Sequence, residues 1–264
     1  MEKFEYTNPK GQSITIEYGG NYILESYDGL AAAEVIPISA RGYRQNGYSL
    51  AHTSLGIRII NIYFYIHTNT MGCFYKKRKY LSAVFNPLLG EGTLTYTNDH
   101  ITKSISILPT LLPTPVEKYG TLQLLNLELT AHDPFWYDKT ETISTMVDYQ
   151  GGIILNNVGD YETPIRVEFS GITVNPQILN DTTGELIKVN KSLTTGEKLI
   201  IDTSYGNKTV THITNSSVRT SAYNLITNNS KFFSLQLGNN KIKYSANMGT
   251  PVIKIYWKNR FVGV

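Results

Sequence analysis

At 264 residues, with 41% hydrophobic and 17% charged side chains, the chain is long enough for two cores and too apolar for disorder. Residues 1–134 hold 11 basic and 11 acidic side chains, and residues 135–264 hold 13 and 10, a balance that excludes a dedicated nucleic-acid surface. Cys73 is the single cysteine, which excludes an internal disulfide or a cysteine metal cluster, and no apolar run reaches the length of a bilayer-spanning helix.

Tyrosine, threonine and isoleucine suit strands and asparagine suits turns, so a mainly β chain is expected. In the first half, Ile60-Asn61-Ile62-Tyr63-Phe64-Tyr65-Ile66 alternates with the two-residue period of a strand. From Phe74 to Phe85 the period changes. Phe74, Arg78, Leu81 and Phe85 share one helical face, Lys76, Lys77 and Lys79 lie elsewhere, and Asn86-Pro87 is a stop. Leu94 to Thr97 and Lys103 to Leu108 read as strands around an Asn98-Asp99 turn, and Pro109, Pro113 and Pro115 then predict an extended connector. Leu122-Gln123-Leu124 and Leu125-Asn126-Leu127-Glu128-Leu129 alternate out of phase, which predicts a β-bulge at Leu124–Leu125.

Asp133-Pro134-Phe135-Trp136-Tyr137-Asp138 follows at once. Proline fixes its own φ and keeps the preceding residue out of the helical region, and three aromatics supply a large apolar anchor. The string reads as an elbow, Asp133, Pro134, Phe135, Trp136 and Tyr137, between a domain at 1–134 and another at 135–264. Beyond it, Ile165, Val167 and Phe169 alternate with Arg166 and Glu168. Further short strands follow, with turns at Asn157-x-Gly159-Asp160, Asp181-Thr182-Thr183-Gly184, Gly196, Gly206-Asn207 and Gly238-Asn239-Asn240. Phe233, Leu235 and Leu237 are expected on one face, and Ile253, Ile255 and Trp257 form the last amphipathic strand. Such spacing predicts a sandwich or jelly roll.

Several motifs taken together resemble the distal tail proteins (Dit) of siphophages. They are Gly56-Ile57-Arg58-Ile59-Ile60, the Tyr75-Lys76-Lys77-Arg78 helix leading to Phe85-Asn86-Pro87, Gly92-x-Leu94-x-Tyr96-x-Asn98 and the Asp133-Pro134-Phe135-Trp136 turn. The second half adds Asn157-x-Gly159-Asp160 with Pro164, Pro176 ahead of Asn180-x-Thr182-Thr183-Gly184-Glu185, Gly196-Glu197-x-Leu199-x-Ile201-Asp202-Thr203, Phe232-Phe233-x-Leu235-x-x-Gly238-x-Asn240 and Arg260-Phe261-Val262-Gly263-Val264. The resemblance implies a β-sandwich or barrel-like ring-forming N-terminal domain with one helix, and a galectin-like C-terminal β-sandwich projecting outward. It implies a structural, non-enzymatic component of a long non-contractile tail tip. Such a component forms a homohexameric ring between the major tail tube protein, the tail-associated hub protein and receptor-binding proteins. No cofactor, no sequence-specific nucleic acid and no membrane insertion are expected. Met1-Glu2-Lys3-Phe4-Glu5 lacks the apolar core of a secretory signal, so folding in a cytoplasm is expected. The resemblance implies that this is the bacterial host's cytoplasm and that the protein resides at the virion tail tip. The alternative is a carbohydrate-binding module that contacts the host cell wall.

Candidate chemistry is sparse. Lys76-Lys77-Arg78-Lys79 reads as a solvated helix face in place of a phosphate grip. His52, His67, His100, His132 and His212 lack metal-ligand spacing, and no nucleophile motif accompanies them. His132 beside Asp133 suggests a relay only superficially, because neighbours on an extended chain point to opposite faces. Glu185 and Glu197, a conceivable hydrolytic pair, sit at glycine-bearing turns and are expected to face water. Gly19-Gly20, Gly90-x-Gly92 and Gly151-Gly152 are too short for phosphate loops. The Asn-x-Ser/Thr sequences at Asn180, Asn190, Asn207, Asn215 and Asn228 reflect composition. Trp136 and Trp257 are expected in packing roles in preference to sugar platforms, and the tract from Arg41 to Gly47 is expected to be an arm that orders on assembly.

Overall fold

The computed structural model describes residues 2–31, 33–146 and 151–264. The chain divides into two compact units, Met1–Lys139 with Phe261–Val264, and Thr140–Arg260. The five aromatic-turn residues therefore lie inside the first unit, and the last four residues return to it.

The first unit is a closed barrel. Its strands are β1 (Lys3–Thr7), β2 (Ser13–Glu17), β3 (Tyr22–Asp28), an outlying pair β4 (Val35–Ala40) and β5 (Ser49–Leu55), β6 (Arg58–His67), β7 (Gly92–Thr97), β8 (Thr102–Tyr119), β9 (Leu122–Ala131) and the short β10 (Trp136–Asp138). Among the described residues, seven of these close in the order β8-β7-β1-β2-β3-β6-β9 and back to β8. In β6, Ile60, Ile62, Phe64 and Ile66 point inward and alternate with outward residues, as the period predicts. They meet Phe4, Tyr6, Ile14, Ile16, Leu94, Ile105, Leu125, Leu127 and Leu129 in one cluster.

Helix α1 (Met71–Val84) joins that cluster through Phe74, Leu81 and Val84. Thr70 caps it by accepting the Cys73 amide at 3.3 Å, and Phe85 stacks on Tyr6 at 4.7 Å between ring centroids. Arg78 is half-buried, with its guanidinium 5.9 Å from the Phe74 ring, and Lys76 and Lys79 are exposed.

β8 closes the barrel by changing partners. Residues 102–107 pair with β7, and residues 108–119 pair with β9. The proline tract is thus a paired strand in place of the expected connector. Register shifts at Pro109/Leu111, Leu111/Thr114 and Pro115/Glu117 accommodate the missing amides, as prolines in sheets require. The bulge expected at Leu124–Leu125 is absent. β9 runs in unbroken register with β6, burying Gln123, Leu125, Leu127 and Leu129 and leaving Leu122 and Leu124 half-exposed. The partner strand carries the irregularity, so β9 has no need of one.

Arg58 ties one region of this unit together. It is fully buried, and among the described residues no carboxylate lies within ion-pair distance. Its Nε donates to Pro134 O at 2.8 Å, its Nη1 donates to Gly29 O and Leu30 O at 2.8 Å each, and its Nη2 donates to Val262 O. Burial pulls the guanidinium below its usual value. Gly29 has φ +85°, and a Cβ there would lie 2.0 Å from Ile59 O, so only glycine lets the β3 exit reach this site. Trp136, fully buried, donates its Nε1–H to Leu30 O at 3.2 Å. Lys103 pairs with Asp138 at 2.6 Å and holds the Phe261 ring at 3.4 Å.

The second unit is a two-sheet sandwich. One sheet has the order β11-β23-β13-β18-β19-β20, and the other has β12-β22-β15-β16. These strands are β11 (Thr142–Met146), β12 (Ile153–Asn157), β13 (Thr163–Ser170), β15 (Gln177–Asn180), β16 (Glu185–Lys188), β18 (Lys198–Asp202), β19 (Thr209–Ile213), β20 (Arg219–Ser221), β22 (Gly238–Ser245) and β23 (Val252–Trp257). Short strands β14 (Thr173–Val174) and β17 (Ser192–Leu193) pair together, and β21 (Ser234–Leu235) pairs with β13. The final short strand, β24, is Arg260–Phe261. Ile165, Val167, Phe169, Leu199, Ile201, Ile253, Ile255 and Trp257 face Leu155, Ile178, Ile187 and Ile242 across one core.

Buried asparagines fasten the turns. Asn157 donates to Tyr161 O at 2.9 Å and accepts the Gly159 amide at 3.0 Å. Asn240 donates to Gln236 O at 2.7 Å and accepts the Gln236 amide at 2.8 Å. That clamp explains two departures from expectation. Gly238-Asn239-Asn240 forms the first rungs of β22 opposite β12, and Leu237 is 58% exposed while Phe233 and Leu235 are buried.

Two outcomes test this account. Arg58→Lys removes the planar fork and is expected to destabilise the first unit by about 3 kcal/mol. Denaturation followed by Trp136 fluorescence in a Trp257→Phe background reads it, and an unchanged midpoint would refute the tie. The Glu2 carboxylate accepts the hydroxyls of Tyr27 at 2.7 Å and Tyr96 at 2.8 Å, which hold it below its ordinary value of 4.5. Its contribution to stability is therefore present above pH 4.5 and is lost as pH falls through the lowered value. Glu2→Gln is expected to flatten the acid limb of a stability–pH curve while leaving its slope near neutrality unchanged.

Candidate functional site: an apolar hairpin and the aromatic turn

In the aromatic turn, Asp133 Oδ1 accepts the Phe135 amide at 3.3 Å, and Asp133 Oδ2 accepts the Tyr137 hydroxyl. Pro134, Phe135 and Trp136 are buried, while Asp133 and Tyr137 are half-buried. The Asp-Pro step turns the chain, the carboxylate fastens it, and Trp136 carries it into the barrel core. The arrangement is a packing anchor.

β4 and β5 form a hairpin that the sequence reading missed. Among the described residues, these strands pair only with each other. The hairpin is tied at its base by the Gly56 amide donating to Glu34 O at 2.8 Å. Both of its faces are open, with Val35 at 59%, Ile38 at 54% and Leu50 at 64% exposure, and Ile36 and Tyr48 are also exposed. Residues 41–47, expected to be an arm without order of its own, form a hydrogen-bonded tip. Gln45 Oε1 accepts the Gly42 amide at 2.9 Å, Arg41 Nε donates to Gln45 O at 2.8 Å, and Arg44 takes φ 59°. Arg44 lies over the Tyr43 ring at 5.2 Å. The legible signal was a Gly-bearing polar tract flanked by Val35-Ile36-Pro37-Ile38 and Leu50. Its strands have no buried face, so no clean alternation marks them.

The remaining candidates do not converge. His52 lies on β5, His67 ends β6, His100 sits in the β7–β8 turn, and His212 lies on β19. His132 pairs with Glu91 at 2.9 Å and not with Asp133. Glu197 does not face water as expected. Its carboxylate accepts the Thr194 amide at 2.8 Å, which lowers its pKa, and lies 3.3 Å from the buried His212. Glu185 is bound to Lys231. Each acid thus serves its own local partner. Trp136 is fully buried and Trp257 nearly so, and neither offers a ring face to a sugar. Lys77 donates to His67 O at 3.3 Å and lies over Tyr22, so part of the basic run braces the helix against β6 and β3.

Comparison with known proteins matches both units. Residues 10–127 match the phage tail protein RIFT-related domain, and residues 158–261 match the siphovirus-type tail component, C-terminal domain. No curated protein matches the sequence. Among solved structures, the crystal structure of the Dit protein of phage SPP1 is similar over 99% of both chains, with a TM-score of 0.76 at 14% identity. A chain in the activated baseplate of phage P2 with calcium is similar over the full length of both chains, with a TM-score of 0.61 at 10% identity. The strontium form gives 0.58 at 11% identity, over 97% of this chain and 98% of that one. With a closed barrel matching one tail domain and a sandwich matching the other, in that order, the chain belongs to the siphophage distal tail protein family.

Proposed function

We propose that this chain is a structural hub component of a siphophage tail tip, whose first unit assembles with copies of itself into a closed six-fold ring. The observation that carries this reading is the β4–β5 hairpin. A two-stranded ribbon is at best marginally stable in water, and this one exposes apolar side chains on both faces. A surface of that kind is suited to lie against a neighbour. In a ring the contact is heterologous, so the hairpin of one copy meets a different patch on the next. The barrel around it has its hydrogen bonds closed on themselves, which suits a rigid tile. The ring's two rims would join the tail tube and the tail-associated hub protein, with receptor-binding proteins attached to the assembly. The aromatic turn acts as the joint where the chain leaves the ring-forming unit.

No chemistry is required of such a protein. Its work lies in contact surfaces, and its site of action is the virion tail tip after synthesis in the host cytoplasm. Family membership supports the tail assignment, and the ring and its partners are our reading.

Light scattering on the full chain, alone and mixed with the tail-associated hub protein, followed by negative-stain imaging, tests the ring. An annulus containing six copies is expected in the mixture. The absence of any annulus there would overturn the reading. The double substitution Ile38→Asp and Leu50→Asp places charge on exposed positions, so the thermal midpoint should hold within about 2 °C. Loss of the annulus in that folded variant is expected, and rings that persist would remove the hairpin from the interface.

A further inference from the structure

The second unit contains a groove of about 600 Å³ at the open edge of its larger sheet, where β20 has β19 as its neighbour. Its walls include Lys208, Thr209, Thr211, Arg219, Ser221 and Tyr223. The volume is that of a small-molecule site. Register explains why these side chains meet. Ser221 lies opposite Thr211 and Arg219 opposite Ile213, while Val210 and His212 of the same strand point into the core. Strand alternation therefore turns the hydroxyls and one cation to the same outer face.

The aromatic wall is held in place. Tyr223 follows β20 in a short 3-10 turn and stacks on Phe232 with centroids 5.8 Å apart and planes at 12°. Lys208 reaches over the same Phe232 ring at 5.9 Å and over Tyr205 at 5.8 Å. Its ammonium is thus positioned by ring faces and not by an acid. Among the described residues, no carboxylate lies within ion-pair distance of Lys208 or Arg219. Elsewhere in this unit Arg166, Lys198, Lys231 and Lys243 each have an acidic partner. The acid facing Thr209 across the register is Asp202, and its Oδ1 accepts the Ser204 amide at 2.9 Å.

We propose that this groove binds a phosphate-bearing saccharide or polyol. The two unneutralised cations would take the phosphate oxygens. The Thr209, Thr211 and Ser221 hydroxyls would exchange hydrogen bonds with ligand hydroxyls, and the fixed Tyr223 ring would receive a C–H face. A nucleic acid would need a longer cationic stripe than two residues on one sheet edge supply. The site differs from the tryptophan platforms weighed from the sequence, since its aromatic is a tyrosine and both tryptophans lie in cores. The proposal does not depend on ring closure.

The test is titration calorimetry of the full-length chain with poly(glycerol phosphate), with dextran as the neutral control and oligothymidine as an unrelated polyanion. Binding in the micromolar range by poly(glycerol phosphate), weakened by added salt, is expected, with none to dextran. Lys208→Gln combined with Arg219→Gln is expected to weaken it by about tenfold or more. Tyr223→Ala should weaken it with little change in salt dependence. All these side chains are exposed, so the thermal midpoint and the particle mass serve as folding controls. Absence of binding, an affinity within about twofold of wild type in the double variant, or equally tight binding of oligothymidine would overturn the proposal.

Discussion

A buried charge with no carboxylate at ion-pair distance among the described residues governs the first unit. Arg58 opens β6, and its guanidinium is satisfied by backbone carbonyls from three segments far apart in sequence: the β3 exit, the aromatic turn and the C-terminal tail. Removing a guanidinium from water costs several kcal/mol, and charge-assisted hydrogen bonds offset that cost only when their geometry is met together. The segments are therefore interdependent. Gly29 must be glycine to let its carbonyl approach, Pro134 must present its oxygen inward, and residues 261–264 must return to the barrel to complete the set. Trp136 makes the same demand on Leu30 from the other side of the turn.

This constraint separates the parts of the unit that are complete from the part that is not. The barrel buries its aromatic and aliphatic residues and pairs every strand on both sides through β8's change of partner. The β4–β5 hairpin does neither. Its apolar side chains lie outside the cluster, and among the described residues its backbone pairs only with itself. The proposed contact surface rests on this contrast between a saturated barrel and an exposed ribbon. The likeness to the SPP1 protein at 14% identity fits that division, because a barrel needs inward apolar positions and few particular residues.

Local periodicity was informative wherever a strand had one wet and one dry face. β6, β13 and β23 were legible for that reason, as was α1, whose period differs. The misread segments share a physical cause. The tract from Pro109 to Pro115 looks like a linker because prolines remove amide donors, yet their strand is bulged and tolerates the loss. The run from Leu122 to Leu129 invites a bulge because leucines occupy both phases, yet register with β6 decides which phase goes inward and admits Gln123. Leu237 continues an apolar alternation but leaves the core because Asn240 holds the Gln236 backbone. The hairpin and the Lys208–Tyr223 groove were not legible as sites at all. Neither is a motif in the chain, and each arises from side chains that pairing brings to one face.

By itself, the sequence determined that the chain is mainly β with one helix, that an Asp-Pro-aromatic turn stands between two β-patterned tracts, and that its motifs belong with siphophage tail proteins. Those are local properties, since backbone preference and hydrophobic period act within a few residues. Tertiary structure alone decided that the first sheet closes through β8, that Arg58 gathers carbonyls from residues 29, 30, 134 and 262, and that β4 and β5 are left without a cover. Closure, buried charge and exposure depend on which distant segments meet, and no period within a strand encodes that.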